Sequence, residues 1–174
     1  KHDKFAVYPF RHGNPWNKEQ LAFLLACGVN TILLSNSPTT TFSYFSSNEF
    51  AAEAFTVELG KVRGFGENDM SSFKDVSKTL RQLLQQDTLK LKAFEEDDFH
   101  IFDIYKTINR TTENFVLNFP DDEKNFTDFP LGYVLADDGD ISHRVTKEGE
   151  AIVFPNAKVA LGQRALLTVV PTKI

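Results

Sequence analysis

The chain has 174 residues, 41% hydrophobic and 25% charged, with a formal net charge of −5 and a mean hydropathy of −0.28, the profile of an ordinary globular protein and not of a disordered or fibrous one. Its apolar runs, such as residues 21–27 and 32–34, fall far short of the ~20 residues that a membrane-spanning helix needs. Residues 1–87 hold nine basic and nine acidic side chains and residues 88–174 hold ten and fifteen, so no basic stripe is present and nucleic-acid binding is set aside. In chain order, Phe5-Ala6-Val7-Tyr8 reads as a short strand ended by Pro9. Asn17 followed by Gln20 is a helix start of the capping-box kind; Leu21, Leu24 and Leu25 then repeat at helical spacing until Gly28. Thr31-Ile32-Leu33-Leu34 is nearly all apolar, as expected of a strand covered on both faces. Residues 35–48 are rich in Ser, Thr and Asn around Pro38 and read as a loop. A third strand spans Phe55–Leu59, closed by Gly60, and Asp69 caps a helix whose Met70, Phe73, Val76, Leu80, Leu83 and Leu84 form a core-facing stripe.

After Asp87 the texture changes. The stretches 99–108, 115–119, 132–136, 151–154 and 165–170 are short and β-prone, separated by turn signals such as Pro120-Asp121-Asp122 and Asp137-Asp138-Gly139-Asp140. The pattern predicts an α/β part over 1–87 and a small all-β domain over 88–174. The acidic run Glu95-Glu96-Asp97-Asp98 at the entrance to the second domain reads as a solvated face or linker. The 17 phenylalanines are spread along the chain and not interleaved with Lys or Arg, which predicts core packing.

Motifs for metal or nucleophilic chemistry are sparse. Cys27 is the only cysteine, which excludes a disulfide framework and a thiolate zinc cluster and fits a reducing cytoplasm. His2, His12, His100 and His143 show no zinc-ligand spacing, and there is no nucleophile elbow, phosphate loop or dinucleotide fingerprint. Glu58 stands out on physical grounds. Alternation sends Thr56 and Glu58 to one face of their strand and Phe55, Val57 and Leu59 to the other. A carboxylate placed there must face water, find a partner or take a raised pKa; an exposed edge-strand Glu is the bland alternative.

The stretches Thr41-Phe42-Ser43-Tyr44-Phe45-Ser46-Ser47, Phe55-Thr56-Val57-Glu58-Leu59-Gly60-Lys61-Val62-Arg63 and Phe65-Gly66-Glu67-Asn68-Asp69 resemble the succinylglutamate desuccinylase/aspartoacylase family of zinc carboxypeptidase-like hydrolases. The resemblance runs on through Pro130-Leu131-Gly132 and Phe154-Pro155-Asn156 to Gly162-Gln163-Arg164-Ala165, covering the whole chain. It implies the C-terminal part of a mixed-sheet catalytic domain followed by a β domain, and zinc-dependent hydrolysis of N-succinylglutamate to succinate and glutamate in arginine catabolism. The general base of the family maps onto Glu58. The family's zinc ligands, a His and a Glu of an H-G-N-E motif and a second His of a D-L-H motif, are all missing. His12-Gly13-Asn14 is followed by Pro15, and His2 falls after the D-L-H position. The chain is therefore expected to be a piece of a longer polypeptide, with zinc ligands upstream of Lys1, and to be inactive alone.

The resemblance further implies a zinc-bound water of lowered pKa as nucleophile, with Glu58 taking its proton and returning it to the departing amine. Aspartoacylase has a substrate-contacting Tyr at a similar distance ahead of its catalytic Glu, which implies substrate contact by Tyr44; packing between Ser43 and Phe45 is the alternative. Lys61 and Arg63 follow the catalytic strand, where a cation could pair with Glu58, hold a substrate carboxylate or lie on the surface. Between Lys18 and Lys61 there is no basic residue. The main carboxylate-clamping arginines are accordingly expected in the upstream part. Two competing readings are an aspartoacylase-type deacylase of another N-acyl amino acid and a non-catalytic β interaction module in 88–174.

Overall fold

The three-dimensional structure, a computed structural model, describes residues 4–9, 11, 16–35 and 37–174. Two units divide the chain: one runs through Ile101 and takes in Lys173–Ile174, the other is Phe102–Thr172.

In the first unit, strand β1 (Phe5–Tyr8) lies between β2 (Thr31–Leu34), to which it is parallel, and β3 (Thr56–Glu58), to which it is antiparallel. The sheet is therefore mixed. All four residues of β2 are buried, as its apolar run predicts. Helix α1 (Lys18–Ala26) makes the crossover between the two parallel strands. Asn17 caps it by accepting from the backbone N–H groups of Glu19 and Gln20 at 2.9 and 3.3 Å. The returning half of the expected capping box is rerouted through the buried Tyr8: its hydroxyl accepts from the Asn17 N–H at 3.2 Å and donates to the Gln20 amide oxygen. Leu21 and Leu24, fully buried in the core with Tyr8 and Ile32, are each worth about 1.5–3 kcal/mol of apolar burial. The helix ends at Ala26, and Gly28 takes φ +73° immediately beyond it; a Cβ there would meet the Asp75 carboxylate at 3.0 Å.

Two expectations for this unit are corrected. Residues 42–50 are not loop but a helix, α2 (Phe42–Phe50). Thr41 caps it, and its Ser and Asn side chains turn back on nearby carbonyls: Ser46 Oγ donates to Ser43 O at 3.3 Å and Asn48 Nδ2 to Tyr44 O at 3.0 Å. The helix is inverted in polarity, with Ser43, Ser46 and Ser47 buried and Phe42, Phe45 and Phe50 at 82%, 51% and 72% exposure. These three phenylalanines therefore do not pack in the core as composition suggested. The second correction concerns the helix after Asp69. Asp69 caps a short 3₁₀ turn, Met70–Phe73, and α3 (Lys74–Gln85) starts only after it. Met70, Leu80, Leu83 and Leu84 are exposed; Val76 packs against the core and the buried Thr79 hydroxyl donates to Ala26 O at 2.8 Å. Periodicity located the helix without locating its buried face.

The acidic run includes a second 3₁₀ turn, Glu96–Asp98. Lys92 pairs with Glu95 and Asp98 at 3.4 and 2.6 Å, and the Ile174 N–H donates to Glu96 at 2.7 Å.

The second unit is all β. Strand β4 (His100–Asn109) begins in the first unit and runs into this one, where it pairs antiparallel with β9 (Arg164–Pro171), and β9 with β8 (Ala151–Val153). A second antiparallel sheet has the order β5 (Val116–Leu117), β6 (Val134–Asp138), β7 (Ile141–Arg144). Ile108, Leu135, Val145, Ile152 and Leu166 form the common core. Strand β7 was not foreseen, and β6 runs one residue beyond Asp137 into what reads as a turn, which begins only at Gly139. The fold class is thus a mixed α/β sheet followed by small antiparallel β structure. Among the described residues no helix is long and apolar enough to cross a membrane.

Candidate active site

Glu58 ends β3, opposite Phe5 of β1. Phe55, Val57 and Leu59 pack against the core of the first unit, so alternation turns Thr56 and Glu58 to the other face. Glu58 is half-buried, and among the described residues nothing is hydrogen-bonded to its carboxylate or paired with it. Gly60 follows with φ +125°, a conformation open to glycine that releases the chain from the strand.

Helix α2 is joined to this strand by a buried hydroxyl. Ser43 Oγ lies 3.1 Å from Thr56 Oγ1, and on its other side 3.3 Å from Thr41 Oγ1, which also accepts the Tyr44 N–H at 3.3 Å. The structure thereby links the two elements that carry Tyr44 and Glu58. Tyr44 borders an open pocket of about 400 Å³ together with Thr39, Thr41, Phe42, Phe45 and Glu49. Sequence reasoning puts Thr56 on the face of Glu58 and Ser43 among the hydroxyls of residues 39–48 that could face the substrate, but it does not pair the two. The available signal was the density of hydroxyl residues over 39–47, which composition alone assigns to a loop.

Lys61 and Arg63 are exposed in the segment after β3, and neither is paired with Glu58 among the described residues. His2 and the His12-Gly13-Asn14-Pro15 segment lie outside the described residues. His100 and His143 stand on β4 and β7. No group of three or more His, Cys, Asp or Glu side chains that could hold a metal ion occurs among the described residues. The described residues of this chain therefore do not fit a zinc ion by themselves. Cys27 is buried, and burial pushes its thiol pKa up, the opposite of what a nucleophilic or ligating cysteine needs.

The second unit carries two buried carboxylates of another kind. Glu150 accepts from Lys106 Nζ at 3.0 and 3.2 Å and from the N–H groups of Thr146 and Lys147 at 2.8 and 3.2 Å. Burial raises its pKa, but the Thr146 N–H and the Lys106 ammonium outweigh that and hold it below the ordinary value. Asp138 accepts from the N–H and hydroxyl of both Thr111 and Thr112 at 2.6–2.8 Å. Burial again acts upward, and the four hydrogen bonds bring its pKa down to about 2. Held by several donors each, these acids serve the fold.

Comparison with known proteins adds to this geometry. Residues 1–84 match the family model described as the succinylglutamate desuccinylase/aspartoacylase catalytic domain, and residues 97–172 match the AstE/AspA barrel-sandwich hybrid domain. Relatives named succinylglutamate desuccinylase include those of Pseudoalteromonas atlantica, 55% identical over all of this chain and 50% of the relative, and Idiomarina loihiensis, 58% identical over 98% and 50%. Solved structures of succinylglutamate desuccinylases from Vibrio parahaemolyticus (37% identity) and Chromobacterium violaceum (38%) superpose with TM-scores of 0.86 and 0.85, each over 99% of this chain and 50% of the other. The chain spans about half the length of the curated relatives it matches. With its two parts matching the two domain models of one family, and with relatives at 55–58% identity over nearly all of its length bearing that family's name, the chain belongs to the succinylglutamate desuccinylase/aspartoacylase family.

Proposed function

We propose that this chain supplies the proton-transfer group of a zinc-dependent amide hydrolase that cleaves N-succinylglutamate to succinate and glutamate, with Glu58 as general base and then general acid. The observation that carries the reading is the unsaturated state of Glu58, half-buried and partnerless among the described residues, in a chain whose relatives are named succinylglutamate desuccinylases. A carboxylate already holding a full set of donors would bind the proton too weakly to take it from water. Glu58 has free lone pairs, and its strand is braced against α2. It takes the proton of the attacking water and delivers it to the amine nitrogen as the amide bond breaks, so one side chain serves both steps. The zinc and its ligands belong, in this reading, to polypeptide beyond these 174 residues, and the chain alone hydrolyses no N-succinylglutamate.

The substrate carries three carboxylates, each of which needs a cation or several hydrogen bonds when buried. Tyr44 and the hydroxyl of Thr39, both at the pocket, supply hydrogen bonds on this side. Exposed Lys61 and Arg63 assist at most, and the principal clamp lies in the other part of the enzyme. The test is Glu58→Gln in the full-length enzyme, which keeps the side-chain shape and removes the basic oxygen. Loss of about 10²–10⁴ in kcat at unchanged zinc content is expected; a loss below about tenfold removes Glu58 as the base.

A further inference from the structure

We infer that Ser43 and Thr56 are positioning residues for Glu58, a pair of hydroxyls that sets where the working carboxylate stands relative to Tyr44. The inference deepens the proposed role of Glu58 and rests on it. Strand β3 has only three residues and pairs antiparallel with β1. Register with β1 alone fixes the backbone at Thr56–Glu58, but it does not brace the face on which Thr56 and Glu58 project. The brace on that face comes from α2. Ser43, at 8% exposure, places its hydroxyl 3.1 Å from that of Thr56, two residues before Glu58 and on the same side of the strand.

The same hydroxyl reaches 3.3 Å to Thr41, whose side chain caps α2 through the Tyr44 N–H, and Thr41 in turn lies 2.9 Å from Thr39 Oγ1 at the pocket rim. A continuous row of four hydroxyls thus runs from the pocket to the strand that ends in Glu58. A hydroxyl both donates and accepts, so one direction of donation along the row satisfies every link, and hydrogen bonds chained in this way reinforce one another. A general base must lie within hydrogen-bond reach of the proton it removes. Misplacement by about 1 Å can cost as much as 10²-fold in rate, which is why a single cross-tie next to Glu58 matters to chemistry more than to folding.

The experiment uses the full-length enzyme with Thr56→Val, Thr56→Ser, Ser43→Ala and Glu58→Gln. Valine keeps the shape of threonine and removes the hydroxyl. Thr56→Val is expected to lower kcat about tenfold with KM within about twofold and Tm within a few degrees of the parent. Thr56→Ser, which restores the hydroxyl, is expected to recover kcat to within about twofold, and Ser43→Ala to fall with Thr56→Val. If Glu58→Gln is inactive while Thr56→Val and Ser43→Ala keep full kcat, the positioning role is wrong and the base stands. If kcat falls equally in Thr56→Ser and Thr56→Val, or falls only in step with Tm, the pair is merely structural and the inference fails. An active Glu58→Gln overturns both.

Discussion

The carboxylates of the two units are treated in opposite ways. In the second unit Glu150 and Asp138 are buried and saturated, the first by an ammonium and two backbone N–H groups, the second by four donors from two threonines. In the first unit Glu58 is half-buried and has no partner among the described residues, and the hydroxyl of Thr56, on the same face of the strand, is bonded to that of Ser43. A buried acid that serves stability gains from every donor it can accept, because each lowers the cost of its charge. An acid that must take a proton and release it loses that capacity when saturated. Satisfaction of hydrogen bonds therefore separates the acids of the scaffold from the acid proposed for the site better than burial does.

The comparison breaks first at Glu150, where the largest stability effect is expected. Glu150→Ala leaves Lys106, 29% exposed, and two N–H groups without their acceptor and should cost about 3 kcal/mol in chemical denaturation, whereas Glu58→Gln should leave stability within about 0.5 kcal/mol. Equal losses at the two sites would erase the distinction. Next comes the inverted helix. Ser46→Leu forces a large side chain into the buried side of α2 and should cost about 1–3 kcal/mol, while Phe42→Ser, at 82% exposure in this chain, should change stability by no more than about 0.5 kcal/mol; the reverse order in thermal melts would mean that the helix is turned the other way.

The pH dependence sharpens the comparison further. The folded pKa of Asp138, about 2, lies below its ordinary value of 3.8, so the unfolded chain binds the proton first. Stability contributed by this group is fully present above that ordinary value and is lost as pH falls toward 2. Asp138→Asn should flatten the decline of Tm across that window. A decline as steep as the parent's would show that the threonine cradle does not depend on the charge. The smallest effect is expected at the exposed cations: Lys61→Ala and Arg63→Ala in the full-length enzyme should raise KM only modestly, and a loss of about 2–5 kcal/mol in kcat/KM at either would place the main anion site in this chain.

Much of the first unit is legible residue by residue. The all-apolar run of β2, the Asn17 cap and the Gly28 stop are local signals, and the structure has them where the pattern puts them. Glu58 is legible too, since alternation with Phe55, Val57 and Leu59 needs no tertiary information. Helix α2 is not: serine and asparagine favour loops because their side chains compete for backbone partners, and only packing against β3 turns that tendency into a helix with serines inside. The stripe of α3 reads as core-facing, yet periodicity specifies a face and not what covers it; in this chain Leu80, Leu83 and Leu84 stay exposed. Asp138 reads as a turn residue because its four donors come from 26 and 27 positions away, and β7 reads as nothing because Ile141-Ser142-His143-Arg144 becomes a strand only through pairing with β6. Local pattern is enough for β1, α1, β2 and β3, for the change of texture after Asp87 and for the facing of Glu58, all of which depend on neighbours a few residues apart. Which acids collect their donors and which hydroxyls brace the strand follows from packing, because Ser43 meets Thr56 across 13 residues, Asp138 meets its threonines across 26 and 27, and Glu150 meets Lys106 across 44.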